Sequence, residues 1–129
     1  MNIEFSYLYR DASNYKSWGR VVFAEGASDQ ISIDLADAQL RASFMYDTFS
    51  AHQLSLPELF TNLQGYPGPD DHCLHEFDSI VLTDEAPTDL LARTFSQFLE
   101  QVRTTANDGW EGFDPYSPSR SDRMFRFLF

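Results

Sequence analysis

The sequence predicts an α+β domain with two main helices packed on one face of a small, mainly antiparallel sheet, in the order β-β-α-α-β-α-β. Three observations lead there. Apolar and polar residues alternate over residues 2–9 and again over 75–83, the period of a half-buried strand. Elsewhere the period becomes helical, at Leu35, Ala38, Ala42, Met45 and Phe49 and at Leu91, Phe95, Phe98 and Val102. The 129 residues, with 12 Phe, 6 Tyr and 2 Trp, can fill one core but hardly two, so residues 1–129 are expected to form a single domain.

In chain order, Ile3, Phe5, Tyr7 and Tyr9 share one face of the first strand, opposite Glu4, Ser6 and Leu8. Asp11-Ala12-Ser13-Asn14 reads as a polar turn, with Asn14 left-handed and Tyr15 packed beneath it. Arg20 to Ala24, introduced by Gly19, is a second strand, completing a hairpin with a long connection. The first helix is expected over 34–48, with Ser32 or Asp34 capping it and Asp37 in its first turn. Ser55-Leu56-Pro57-Glu58 matches a capping box with Pro in the first turn, so a short helix is expected from there to about Asn62. Gly65-Tyr66-Pro67-Gly68-Pro69-Asp70 is a loop. His75 to Thr83 is the third strand. Thr88 can cap a second long helix running to about Thr105, stopped by Asn107-Asp108-Gly109, and Met124 to Phe129 is a last apolar strand.

Charge is unevenly placed. The formal net charge is −11, and from residue 42 to residue 92 no Lys or Arg occurs. The same stretch carries Asp47, Glu58, Asp70, Asp71, Glu76, Asp78, Asp84, Glu85 and Asp89. Nucleic acid and anionic lipid need Lys or Arg to replace their counterions, so this charge argues against direct binding to either, and a basic protein is the natural complement. One Cys allows no intrachain disulfide, which together with the missing signal-peptide pattern predicts a cytoplasmic setting. No apolar run is long enough to span a membrane.

Asp70-Asp71-His72-Cys73-Leu74-His75-Glu76 is the one segment dense in metal-binding side chains. Asp71, His72, His75 and Glu76 are candidate zinc ligands for a metal-binding domain or a metal-dependent hydrolase. The spacing argues the other way. Two His three apart on a strand point to opposite faces, and the Glu follows the second His, unlike the H-E-x-x-H motif. The structural alternative has the imidazoles bonded to loop backbone and Cys73 as a small buried residue. The expectation is therefore no cofactor. Arg10 and Lys16 could contact a phosphate, or with Asp11 simply order their turn. No phosphate loop, dinucleotide fingerprint, nucleophile elbow or serine triad order is present, so no catalytic residue is assigned.

Tyr9-Arg10-Asp11-Ala12-Ser13-Asn14-Tyr15-Lys16 and Gly19-Arg20-Val21-Val22-Phe23 resemble a group of small bacterial proteins with Y-R-D-x-x-N-Y-K followed by G-x-V-x-F. The same group carries an I/L-P-x-L segment, here Leu56-Pro57-Glu58-Leu59, and a D-H-x-x-H-E-F segment, here Asp71 to Phe77. The likeness covers about the first two thirds of the chain. Cys73-Leu74 departs from the aromatic between the two His in that group. The resemblance implies a bacterial or phage origin and one compact domain, with no established activity.

The functional expectation is a small acidic inhibitor, in the class of immunity proteins, antitoxins and phage anti-defence proteins of the anti-CRISPR kind. It would mask a basic, nucleic-acid-binding site on a toxin, nuclease or defence complex by mimicking the charge of DNA. Asp70, Asp71, Glu76, Asp78, Asp84 and Glu85 would meet the partner, and exposed Tyr66 and Trp110 would anchor it. The chain is expected as a monomer, or as a homodimer paired through Phe125, Phe127 and Phe129 of the last strand.

Overall fold

A computed structural model describes residues 1–25, 32–60, 72–113 and 124–126. The elements are β1 (Asn2–Arg10), β2 (Lys16–Phe23), α1 (Ile33–Ser43), β3 (Thr48–Phe49), β4 (His75–Thr83), α2 (Phe95–Asp108), β5 (Glu111–Phe113) and β6 (Met124–Arg126). The main sheet has the order β2-β1-β4-β3, every ladder antiparallel, and β5 pairs with β6 separately. This is the α+β fold the patterns predict. No helix among the described residues is long and apolar enough to cross a membrane.

β1 and β2 form the expected hairpin, with Ile3 opposite Phe23, but β2 starts at Lys16 rather than Arg20, opposite Arg10, so the connection is a short turn and not a long one. Asp11 organises the turn, its carboxylate accepting the N–H groups of Ser13 and Tyr15 at 2.9 and 2.8 Å. Asn14 is left-handed (φ 69°). Tyr15, expected beneath the turn, is exposed instead. Gly19 sits at a close approach: a Cβ there would lie 2.8 Å from a Leu59 methyl, which would have to shift.

Alternation puts Ile3, Phe5, Tyr7 and Tyr9 of β1 in the core. Phe5 stacks on Phe77 of β4 (5.2 Å) and meets Phe98 of α2 edge-on (5.1 Å), while Phe23 of β2 stacks on Phe98 (4.3 Å). Each such aromatic contributes about 2–3 kcal/mol by leaving water, so this seam fixes α2 against the sheet.

Both long helices are shorter than their apolar stripes suggest. α1 ends at Ser43, since Phe44 is extended and Tyr46 and Asp47 are left-handed (φ 52° and 61°). The N–H and C=O groups of Met45 and Thr48 bond to each other across that pair, a two-residue turn of type I′ that leads into β3. α1 also buries another face than expected: Ala36 and Leu40 face the core and Leu35 is exposed. The bulkier series Ile33, Ala36, Leu40 and Phe44 wins over Leu35, Ala38 and Ala42.

α2 begins at Phe95, with Thr94 and Gln97 forming a full capping box, and Gly109 closes it (φ 108°). Thr88 does not cap it. Its N–H and hydroxyl instead bond the backbone of Val22, covering that part of the β2 edge, and Ala92 is left-handed. The expected short helix after Ser55 is not formed over residues 56–59; Ser55 is left-handed (φ 54°), incompatible with an N-cap. Its residues 61–62 lie outside the described residues, as do Phe127 and Phe129.

Candidate interaction surface

The acidic stretch is devoid of cations in sequence, but the fold brings arginines to it from outside. Arg10 at the end of β1 grips Glu76 of β4 with two hydrogen bonds (2.9 and 3.2 Å), and these raise the Arg10 pKa. Arg20 of β2 reaches both Glu4 and Glu85. Arg41 in the last turn of α1 pairs with Asp37 and Asp47 and lies 4.7 Å over the Phe77 ring. Glu76 and Glu85, expected to face a partner, are thus already ion-paired within the chain. Asp78 and Asp84 are exposed and carry no ion pair among the described residues. Tyr66, Asp70 and Asp71 lie outside the described residues.

Arg93 neutralises the last member of the stretch and is buried in doing so. Its Nε and Nη2 bond the two Asp89 oxygens at 2.9 and 2.8 Å, with only 8% and 2% of the two side chains exposed. Nη1 donates to the Leu54 carbonyl (2.7 Å) and to Gln101 Oε1 (2.8 Å). The guanidinium lies 5.5 Å from the centroid of Phe23 and 5.2 Å from that of Phe98. Burial by itself would push the Asp89 carboxyl up; the Arg93 hydrogen bonds and charge prevail and hold it below its ordinary value. No spacing signal marks this pair beyond its i,i+4 offset, which reads as a surface helix pair.

The two central histidines serve backbone. Leu74 N–H donates to His72 Nδ1 (3.1 Å), so the ring proton sits on Nε2, 2.9 Å from the Arg10 carbonyl. His75 is fully buried among Tyr7, Tyr9, Phe49 and Phe60, and its Nε2 accepts the Leu59 N–H (2.8 Å). Nδ1 then carries the proton. It faces the Cys73 backbone, though no acceptor among the described residues completes a well-formed hydrogen bond to it. Burial pushes the His75 pKa down to about 4, against a smaller upward pull from the Cys73 backbone. Tyr7, whose hydroxyl donates to the Pro57 carbonyl, has its pKa raised by burial. In both imidazoles the lone pair that a metal would need is engaged by a backbone N–H. No group of three or more His, Cys, Asp or Glu side chains among the described residues could hold a metal ion.

No family model matches the sequence, and no curated protein or solved structure matches it either.

The aromatic anchors are placed differently from expectation. Trp110 is 5% exposed, and its indole N–H donates to the Ser43 carbonyl, fastening the end of α2 to the end of α1. The exposed ring in this region is Tyr46, 90% exposed at the tip of the type I′ turn. Its helical spacing hides it in the sequence, because Met45 and Phe49 extend the apolar stripe of α1 through it.

Proposed function

We propose that the chain is an acidic binding protein that occupies a basic, nucleic-acid-binding site on a partner protein, as an inhibitor of the immunity, antitoxin or phage anti-defence class. One observation carries this reading. Arg10, Arg20, Arg41, Arg93 and Arg103, the arginines whose side chains are described, are each bonded to a carboxylate. Each of these five arginines is thus engaged within the chain, while Asp34, Asp78, Asp84 and Asp108 are exposed outside any ion pair among the described residues and the net charge is −11. That surplus produces an unopposed negative field, which steers a cationic surface toward it and repels nucleic acid.

The test is capture from a bacterial lysate on immobilised chain, with duplex DNA as competitor. Nucleic-acid-binding proteins should be retained at low salt, be displaced by DNA, and be lost by the triple variant Asp34→Lys, Asp78→Lys, Asp84→Lys. Identical capture by the wild type and the triple variant would remove the proposal.

A further inference from the structure

The C-terminal ends of α1 and α2 converge on a cavity of about 460 Å³ lined by Ala42, Met45, Tyr46, Ala106, Asn107 and Trp110, among others. Three features of this cavity point the same way. The last carbonyls of a helix lack intrahelical donors and carry the negative end of its dipole. Of those terminal carbonyls, Leu40's receives the Phe44 N–H, Ser43's the Trp110 indole and Thr105's the Gly109 N–H. No basic residue occupies the last turn of α2, and the one in α1, Arg41, is turned toward Asp37, Asp47 and Phe77. Two helix ends thus present negative potential to one cavity, and Asp108, the last residue of α2, is exposed.

The second feature is the wall. Ala42, Met45 and Ala106 offer apolar surface that suits a methylene stem rather than a small hydrated ion. The third is Tyr46. A tyrosine in a left-handed conformation costs about 1–2 kcal/mol, and the residue that carries this cost lines the cavity and is 90% exposed. Residues held in sparsely populated backbone regions cluster at binding sites, and an exposed tyrosine on a rigid turn is a typical anchor.

We propose that this cavity receives an arginine side chain of the partner protein. Its stem would lie along Ala42, Met45 and Ala106, its guanidinium plane would stack on Tyr46, and its N–H groups would meet the helix-end carbonyls. Arginine fits better than lysine because a planar fork can stack and donate to several carbonyls at once. The proposal rests on the acidic-binder reading and gives it an address on the surface.

The probe is a blocked Gly-Gly-Arg-Gly-Gly peptide, titrated into the full chain and followed by the NMR signal of the Trp110 indole N–H. Matched peptides carry citrulline or lysine in place of arginine. The arginine peptide should shift the signal saturably, with affinity about tenfold above that of the citrulline peptide. Ala42→Leu, an exposed helical position, fills the cavity without changing charge and should abolish the shift while leaving the melting temperature unchanged; Tyr46→Ser should weaken it. An equal response to citrulline or lysine, or no response, overturns the proposal. Longer poly-arginine separates it from the broader reading. If the single-arginine peptide gives no response in the native chain while poly-arginine binds it and is lost by the Asp34, Asp78, Asp84 triple variant, the arginine cavity is wrong while the acidic surface stands.

Discussion

Replacing Arg93 by methionine should cost roughly 3–5 kcal/mol of stability, the range for removing one partner of a buried ion pair. The magnitude follows from what would be left behind. Asp89, 2% exposed, would lose the two side-chain donors that serve its oxygens. The Leu54 carbonyl would lose its 2.7 Å donor, and a buried orphan carbonyl costs about 1–3 kcal/mol. Methionine would still cover Phe23 and Phe98, which offsets part of the sum, so a value near 4 kcal/mol is expected, a drop in Tm on the order of 15 °C. Guanidinium denaturation at pH 7, with the slope unchanged, measures it. A second arm varies pH. In the native chain the Asp89 pKa is depressed, so its contribution is full above the unfolded pKa and is lost as pH falls through the folded one. In the variant the backbone N–H of residue 93 still serves Asp89, but the side-chain bonds and charge that oppose burial are gone and the carboxyl moves up from its native value, so acid neutralises the stranded charge. The gap between native and variant should therefore narrow from pH 7 to about pH 4, and Asp89→Asn in the variant should recover much of it. A gap below about 1 kcal/mol, or one that does not change with pH, would refute the assignment of Arg93 as a buried structural clamp.

Two other outcomes are expected. The His75 pKa lies near 4 when folded against about 6.5 when unfolded. Its neutral form favours the native state, so this contribution is full above pH 6.5 and declines toward pH 4 by about 3 kcal/mol; chemical denaturation across that window should show the decline in the native chain and a flatter profile in His75→Gln. Tyr46→Asn keeps the type I′ turn but relieves a left-handed tyrosine, so it should raise stability on the order of 1 kcal/mol while weakening the arginine response, read by melting and by the peptide titration.

The strands at either end of the alternating stretches were legible because a period of two with one buried face has few competing explanations. The hairpin, the left-handed Asn14 and the α2 core residues Phe95, Phe98 and Val102 all follow from local pattern. Helix limits were not legible. Thr88 and Thr94 are both good caps in isolation, and only the tertiary bond from Thr88 to Val22 decides between them. Phe44 to Phe49 continues a helical spacing, yet pairing of Thr48 and Phe49 with β4 overrides it. The charge pattern misled for a related reason. Linear distance from the nearest arginine says nothing about a sheet that sets Arg10 beside Glu76.

The sheet order has a consequence for synthesis. β1 lies between β2 and β4, so the strand made first is an interior one. A ribosome adding about 5–20 residues per second needs several seconds to travel from Arg10 to His75. Throughout that interval the nascent hairpin offers one unpaired edge bearing Ile3, Phe5 and Tyr7 to anything nearby. Slowing elongation between residues 11 and 75 should raise the aggregated fraction, and tethering a preformed β4 peptide in trans should lower it.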